Sequence, residues 1–447
     1  MFRAKLHQLL QGRFWLLVLF AIIYLVLLFW RGWIILPLIG LELILRLLLR
    51  LTYGQQYRYS LYNYFLVDHP VYGNCFRPHA NNRQLDFLIC DKYVFRYGPV
   101  NPLNLAANRS GRVDFSINSR SFRGPEFAPR KAPGVFRIFC VGGSTTAGNW
   151  VNNDETWPAY LEQFLQPHGQ RVEVINAGVQ GWCSYQDLLR FQAEIVNYQP
   201  DLVIIKQGWN EEFIYSSQNL GRWWQPQVAR HFMEEKYLFI PPNPILADTH
   251  SLLYFMLIRT YFKNFVFDKK MPFTNPKRWA CLKQPDYLTA WFDNLVEFAR
   301  IASTHDIPLR IINAPLLTDF ADTKDERDFY LTQAKLPPLK ADYLAVAQKR
   351  VEKTLKAINE FIPVINVAAP FRQLRGAARL PLFHDNIHPS ASGNRRLAEI
   401  VSQALTPLKL QATKLPNKAR LRELRQQVAS NDTAIDKFID RQISQLT

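Results

Sequence analysis

A serine, an aspartate and a histidine stand in contexts that suit nucleophilic catalysis. Residues 138–148 read Ile-Phe-Cys-Val-Gly-Gly-Ser-Thr-Thr-Ala-Gly, so an apolar strand runs into a glycine turn that presents Ser144. Far downstream, residues 384–389 read His-Asp-Asn-Ile-His-Pro. A serine hydroxyl needs a general base, and the base needs an acid that orients it. Asp385 and His388 are spaced so that the carboxylate can hold one ring nitrogen while the other faces the serine.

Two further segments could stabilise the negative charge that develops on an attacked ester. The chain reads Asn-Ala-Gly-Val-Gln-Gly-Trp-Cys-Ser at 176–184, where Gly181 can offer a backbone N–H after a strand. It reads Gln-Gly-Trp-Asn-Glu at 207–211, where Asn210 can offer its side-chain amide. Each segment alone also suits an ordinary turn, so the prediction of an oxyanion site depends on their combination.

Other interpretations of the same residues are weaker. No Gly-Lys-Ser/Thr follows the turn at Ser144, which disfavours a phosphate-binding P-loop, and the glycines do not form Gly-x-Ser-x-Gly. His384 is predicted to be structural, because only His388 has an acid three residues before it and proline after it. A metal site made of His384, Asp385 and His388 stays open as an alternative. Ser390 is predicted to cap the helix that follows.

The elements that must position these residues alternate from about residue 134. The predicted strands are Val135–Val141, Val172–Asn176, Leu202–Lys206, Leu309–Asn313 and Val364–Val367. The predicted helices are 155–166, 184–198, 286–304, 341–360 and 391–405. Short apolar strands separated by amphipathic helices indicate a parallel sheet covered on both faces. Ser144, Gly181 and Asn210 each follow a strand, so we expect them to converge at the carboxyl edge of that sheet.

Together the four motifs resemble those of the SGNH, or GDSL-type, hydrolase family, over roughly residues 134–405. The resemblance implies a three-layer α/β/α fold with a central parallel sheet of flavodoxin-like type. It implies that Ser144 is the nucleophile and that its own N–H is one oxyanion donor. Gly181 and Asn210 match the positions of the other two donors. The same resemblance makes Asp385 and His388 the acid and the base of the triad.

The chain departs from the family pattern at two positions, and the substrate is correspondingly open. Gly143 stands where the family name has aspartate, and Glu211 stands where aspartate is usual. The expected reaction is ester hydrolysis through an acyl-serine, on an acetylated glycan or a lipid, without a metal or cofactor. A polysaccharide O-acyltransferase that uses the same triad is one alternative. A non-catalytic scaffold of an envelope assembly is another, disfavoured because every site residue is intact.

The N-terminal region is predicted to anchor the chain in a membrane. Residues 14–30 carry no charged side chain and are long enough to span a bilayer. Residues 33–49 are interrupted only by Glu42 and Arg46 and form either a second span or an interfacial helix. No small-residue cleavage site follows the first run, which favours a retained anchor over a signal peptide.

Basic residues before the first run place the N-terminus in the cytoplasm. A single span, which we favour, then puts the catalytic domain outside the cytoplasm, whereas a hairpin at residues 31–33 would keep it inside. The net charge of +17 suits an anionic membrane surface better than nucleic acid, since no nucleic-acid motif is present. The five cysteines lack metal-type spacing, although Cys75 and Cys90 could pair in an oxidising compartment.

The chain divides into four predicted regions. Residues 1–50 are the membrane anchor, and residues 51–133 are an aromatic-rich segment that packs on the main domain. Residues 134–410 form the hydrolase-like domain, which carries an insertion at 211–285. The insertion is either a cap over the site, a membrane-facing lid, or an extra helix packed on the domain. Residues 411–447 form a polar, basic C-terminal tail that is predicted to be helical.

Overall fold

The structure, a computed structural model, describes most of the main domain and parts of the segments around it. The described residues are 66–69, 71–80, 114–148, 150–166, 171–208, 210–211, 273–284, 286–405, 410–430 and 432–447, with six positions between 39 and 47. The predicted span 14–30 and insertion residues 212–272 lie outside them. Within the described part of the chain, no helix is long and apolar enough to cross a membrane.

The main domain is organised around a sheet of parallel strands. A short antiparallel hairpin precedes it, formed by β1 (Leu66–His69) and β2 (Gly73–Phe76). The sheet strands are β3 (Val135–Gly142), β4 (Arg171–Asn176), β5 (Leu202–Lys206), β6 (Leu309–Ile312) and β7 (Val364–Ile365). They lie side by side in the order β4-β3-β5-β6-β7, all parallel. This is the flavodoxin-like order, in which the second strand lies outside the first.

Helices cover both faces of the sheet. In chain order they are α1 (Ser144–Ala147), α2 (Trp157–Leu165), α3 (Ser184–Ala193), α4 (Pro276–Cys281), α5 (Asp286–Thr304), α6 (Lys324–Gln333), α7 (Pro338–Ile358), α8 (Ala368–Gln373), α9 (Ala391–Leu405), α10 (Lys418–Ala429) and α11 (Thr433–Leu446). On one face, Val203 and Ile205 of β5 pack with apolar residues of α3, α5, α7 and α10. On the other, Leu202 and Ile204 pack with α2 and α9. The alternation of β5 between two cores gives the predicted three layers.

The predicted strands are confirmed to within two residues, and β5 and β6 are apolar runs that are buried along their whole length. The predicted helix 184–198 is shorter, since α3 ends at Ala193 and residues Ile195–Tyr198 form a 3₁₀ turn. Glu194 marks the break, and its carboxylate receives hydrogen bonds from Arg190 and Tyr198. The cap at Ser390 is confirmed, because its hydroxyl accepts the N–H of Gly393 in the first turn of α9.

Both flanking segments pack on the main domain where they are described. Phe115, Ile117 and Phe122 belong to the main core, and Arg123 bridges to Asn176 at the end of β4. At the other end of the chain, α10 and α11 lie against α4, α5 and α7. Cys75 is buried and its Sγ lies near Ser121, whereas Cys90 lies outside the described residues. The proposed pairing of these two cysteines therefore stays a prediction.

Candidate active site

Ser144 lies just after the end of β3, an interior strand of the sheet. β3 is an interior strand, with β4 and β5 on either side, and its last residue, Gly142, leads through Gly143 directly into α1. Ser144 is therefore the first residue of a helix at the carboxyl edge of the sheet, the place that the sequence predicts. Its Oγ lies 2.9 Å from Nε2 of His388. This distance is within hydrogen-bond reach, so the hydroxyl proton can pass to the imidazole.

Asp385 holds the other side of that imidazole. Its carboxylate oxygens lie 3.0 and 3.1 Å from Nδ1 of His388, and Oδ1 also accepts the backbone N–H groups of Ile387 and His388. Burial would raise the pKa of Asp385, but the charge and hydrogen bonds of His388 outweigh it and hold the pKa well below its usual value. Asp385 is thus ionised, and it fixes the tautomer that leaves Nε2 free to accept a proton.

His384 lies close by but does not face the serine. Its backbone N–H donates to the carbonyl of His388, and its ring meets Trp150 edge to face. Both ring nitrogens are buried without a hydrogen-bond partner among the described residues, and burial lowers the pKa of His384 to about 4. The ring is therefore neutral at pH 7. No three metal-binding side chains in the described part of the chain are placed to hold an ion.

The two remaining predicted residues lie on the loops that follow β4 and β5. Asn210 Nδ2 donates to the carbonyl of Trp182 at 2.6 Å, so its amide lies against the loop that carries Gly181. Gly181 is buried in a turn with φ +79°, a conformation that glycine adopts without strain. The structure therefore brings the second and third motifs into contact beside the serine turn. Their roles as oxyanion donors stay predictions.

Comparison with known protein families identifies the family to which the chain belongs. Residues 140–396, more than half of the chain, match the GDSL-like Lipase/Acylhydrolase family. The chain belongs to this family. The prediction made from the four motifs is confirmed at this level, and the matched segment contains all five predicted site residues.

Individual relatives in the family match over shorter segments. An arylesterase of Vibrio mimicus is 33% identical over 75 residues, 17% of this chain and 38% of that protein. Esterase TesA of Pseudomonas aeruginosa is 31% identical over 74 residues, 17% of this chain and 37% of that protein. The matches thus span well under half the length of these curated relatives. The crystal structure of a GDSL-like lipase from Bacteroides thetaiotaomicron is 16% identical, with coverage of 60% of this chain and 86% of that one and a TM-score of 0.30.

The first departure from the GDSL pattern has a steric explanation. A Cβ atom added at Gly143 would lie 2.6 Å from Asn210 Nδ2 and 3.2 Å from the carbonyl oxygen of Trp182. A side chain at this position would therefore require the Asn210 amide to shift from where it lies here. In this member of the GDSL family, glycine allows the close approach of the asparagine to the serine turn.

The second departure from the GDSL pattern supplies a structural contact. Glu211 is buried, and its carboxylate accepts the backbone N–H of Ser184 at 2.6 Å and that of Gly208 at 3.1 Å. It thereby joins the first residue of α3 to the loop after β5. Burial raises the pKa of Glu211 above its usual value. The side chain ties together the two loops that carry Gly181 and Asn210.

Sequence reasoning missed Trp150. Its ring centroid lies 4.3 Å from that of His388, at an interplanar angle of 67°, and the residue is only 5% exposed. The tryptophan forms an apolar wall beside the imidazole of His388. Its place two residues after Gly148, in the turn that ends the helix beginning at Ser144, was the available signal.

Proposed function

We propose that the protein is a serine esterase that works through an acyl-serine intermediate. The observation that carries the proposal is the pair of contacts on His388, 2.9 Å from Nε2 to Ser144 Oγ and 3.0 Å from Nδ1 to Asp385. A serine in this position can lose its proton as it attacks, because the imidazolium that forms lies against a buried carboxylate.

The reaction follows from the position of each group. Nε2 of His388 takes the Ser144 proton while Oγ bonds to the ester carbonyl carbon. The N–H groups of Ser144 and Gly181 and the amide of Asn210 stabilise the oxyanion. The imidazolium then gives its proton to the departing alcohol, which leaves an acyl-serine. Water attacks the acyl-serine while His388 takes one of its protons, and the imidazolium returns that proton to Ser144 Oγ as the carboxylic acid departs.

The proposal includes attachment to a membrane through residues 14–30, with one span and the catalytic domain outside the cytoplasm. The uncharged run supports this. Four apolar residues of the second run further support it, because they lie in helical conformation and are at least 50% exposed: Ile39, Leu43, Ile44 and Leu47. An apolar surface of that kind suits contact with lipid. An enzyme held there would meet acylated envelope glycans or lipids, and O-acetyl or lipid esters are the proposed substrates.

A fluorophosphonate probe tests the proposal, because it bonds only to a serine whose proton is being removed. Full-length protein in detergent should label covalently, and Ser144→Ala and His388→Ala should each abolish the labelling. The matched controls are Ser303→Ala and His305→Ala, which alter the same residue types at exposed positions at the end of α5. These controls should label like the wild type.

A panel of acetyl and longer acyl esters then separates the alternatives. Hydrolysis that disappears with Ser144→Ala supports the esterase. Labelling at Ser144 without hydrolysis of any ester, but with acyl transfer to an added sugar hydroxyl, would replace it with the acyltransferase. A folded wild type that neither labels nor turns over any ester would defeat both.

A further inference from the structure

Arg123 is a buried cation that lies before the matched family segment. It lies in the segment before β3, and it is only 3% exposed. Its guanidinium lies 4.1 Å from the ring centroid of Phe115. Burial lowers the pKa of Arg123 to about 9, so the side chain is still charged at neutral pH.

The guanidinium donates to a cluster of backbone carbonyls. Nη1 binds the carbonyl oxygens of Ala147 and Gly148, and Nη2 binds that of Val151 at 2.6 Å. Nε donates to the side chain of Asn153 at 3.2 Å. A rigid planar fork of N–H donors is suited to several acceptors at once, which a lysine cannot match.

The carbonyls of Ala147 and Gly148 lie at the C-terminal end of the short helix that begins at Ser144, and that of Val151 lies just beyond it. α1 runs from Ser144 to Ala147, and Gly148 ends it in a left-handed conformation with φ +73°. A Cβ added at Gly148 would lie 2.9 Å from Nη1 of Arg123, so the arginine packs directly on this turn. Asn176 Nδ2 donates to the carbonyl of Thr146. The carbonyl-bearing end of α1 is therefore held by side chains that come from outside it.

The same carbonyls border Trp150, which contacts the base. Gly148 and Val151 flank the turn that carries this tryptophan, and its ring lies 4.3 Å from that of His388. Arg123 thus touches the chain on both sides of the residue that packs on the imidazole, and also the far end of the helix that presents the hydroxyl. Arg123 is therefore linked to both residues of the 2.9 Å contact between Ser144 and His388, to the serine through α1 and to the histidine through Trp150.

We propose that Arg123 is a positioning residue for the active site, which fixes Ser144 and Trp150 relative to His388 from a segment outside the family match. The inference rests on the proposed function. On this inference, the segment before residue 140 helps to position the active-site residues. A displacement of reacting groups by about 1 Å can cost about 10²-fold in rate, so loss of Arg123 should act mainly on kcat.

The test compares Arg123→Met and Arg123→Lys with the same two changes at Arg137. Arg137 is a matched control, because it is fully buried and donates to the carbonyls of Pro129 and Tyr198. It lies at the beginning of β3, whereas Ser144 follows the end of that strand. Thermal unfolding gives the folded fraction of each full-length variant. The rate of fluorophosphonate labelling, kcat and KM are then expressed per folded molecule.

We expect Arg123→Met to lower kcat and the labelling rate by about 10²-fold with little change in KM. Arg123→Lys, which keeps the charge and some donors, should restore part of the loss and keeps the test decisive if the methionine variant does not fold. Both Arg137 variants should lower thermal stability and leave kcat unchanged. The inference would be overturned if the folded Arg123→Lys and Arg123→Met variants kept the wild-type kcat. It would also be overturned if the Arg137 variants lost as much kcat as the Arg123 variants. An unlabelled wild type would instead overturn the proposed function.

Discussion

Asn210 is the residue whose role depends most on the proposed reaction. Its amide lies against the serine turn and is part-buried. We expect Asn210→Ala to lower kcat by about 10²–10³-fold, as removal of one oxyanion donor does, with little change in stability. Steady-state kinetics on a hydrolysed ester measures it. Asn197→Ala is the control, since that amide binds the carbonyl of Ala193 away from the site. Unchanged turnover in the Asn210→Ala variant would show that Asn210 is a turn residue and not an oxyanion donor.

His384 gives a prediction about pH. Its pKa falls from 6.5 to about 4 on burial, so between these values the unfolded chain binds a proton that the folded chain does not. The free energy of unfolding therefore decreases as pH falls through this window, by about 3 kcal/mol from this group alone. His384→Phe removes the titration and keeps a ring beside Trp150.

Urea unfolding at pH 7 and pH 4.5 measures this difference. The His384→Phe variant should lose less stability than the wild type over that interval. Asp187, whose pKa burial raises to about 8, acts in the opposite direction, but it is present in both proteins and cancels in the comparison. Equal losses in the two proteins would contradict the prediction.

The triad residues could be predicted because each lies in a local pattern. Ser144 follows a strand and a glycine pair, and His388 has Asp385 three residues before it. Trp150 and Arg123 could not be predicted in this way. Their contacts depend on how the turn after α1 packs against the segment before β3. The spacing of residues along the sequence does not predict this packing. Single tryptophans and arginines are also common enough that they do not stand out.

At the scale of elements, α11 is held by a few apolar side chains. Ile435 and Ile439 are buried with Trp279 of α4 and Tyr343 of α7. We expect Ile439→Ala to lower the free energy of unfolding by about 2–5 kcal/mol, since it leaves a cavity in a closed cluster. Ile443→Ala, one turn further along the same helix and only partly buried, should cost less. Denaturant unfolding measures both, and equal losses would show that this cluster contributes no more than the helix end.

The strands were predictable because each is short and rich in β-branched residues, and strongly amphipathic α5 and α9 were predicted with correct bounds. α6 was not predicted, because its sequence is polar and only Tyr330 is buried. It begins with a capping box between Thr323 and Glu326, which was a usable local signal. α4 is too short to show periodicity, and packing against α11 stabilises it.

At the scale of the whole molecule, the charge-free run 14–30 predicts the behaviour of the full chain. Full-length protein should sediment with membranes and need detergent for release, because about 17 apolar residues strongly favour the bilayer. A variant that lacks residues 1–50 should stay in the supernatant and still label with fluorophosphonate. Fractionation followed by labelling tests both statements. Recovery of full-length protein in the soluble fraction without detergent would contradict the predicted membrane anchor.

The burial of Trp279 under α11 also constrains biosynthesis. This tryptophan is covered by Ile435 and Ile439, which the ribosome adds long after the strands of the sheet are complete. A nascent chain therefore displays an uncovered aromatic surface late in translation, of the kind that chaperones bind. A premature stop between α9 and α11 would leave that surface exposed permanently, although all five predicted site residues had been made. Such products should be degraded rather than accumulate as active fragments.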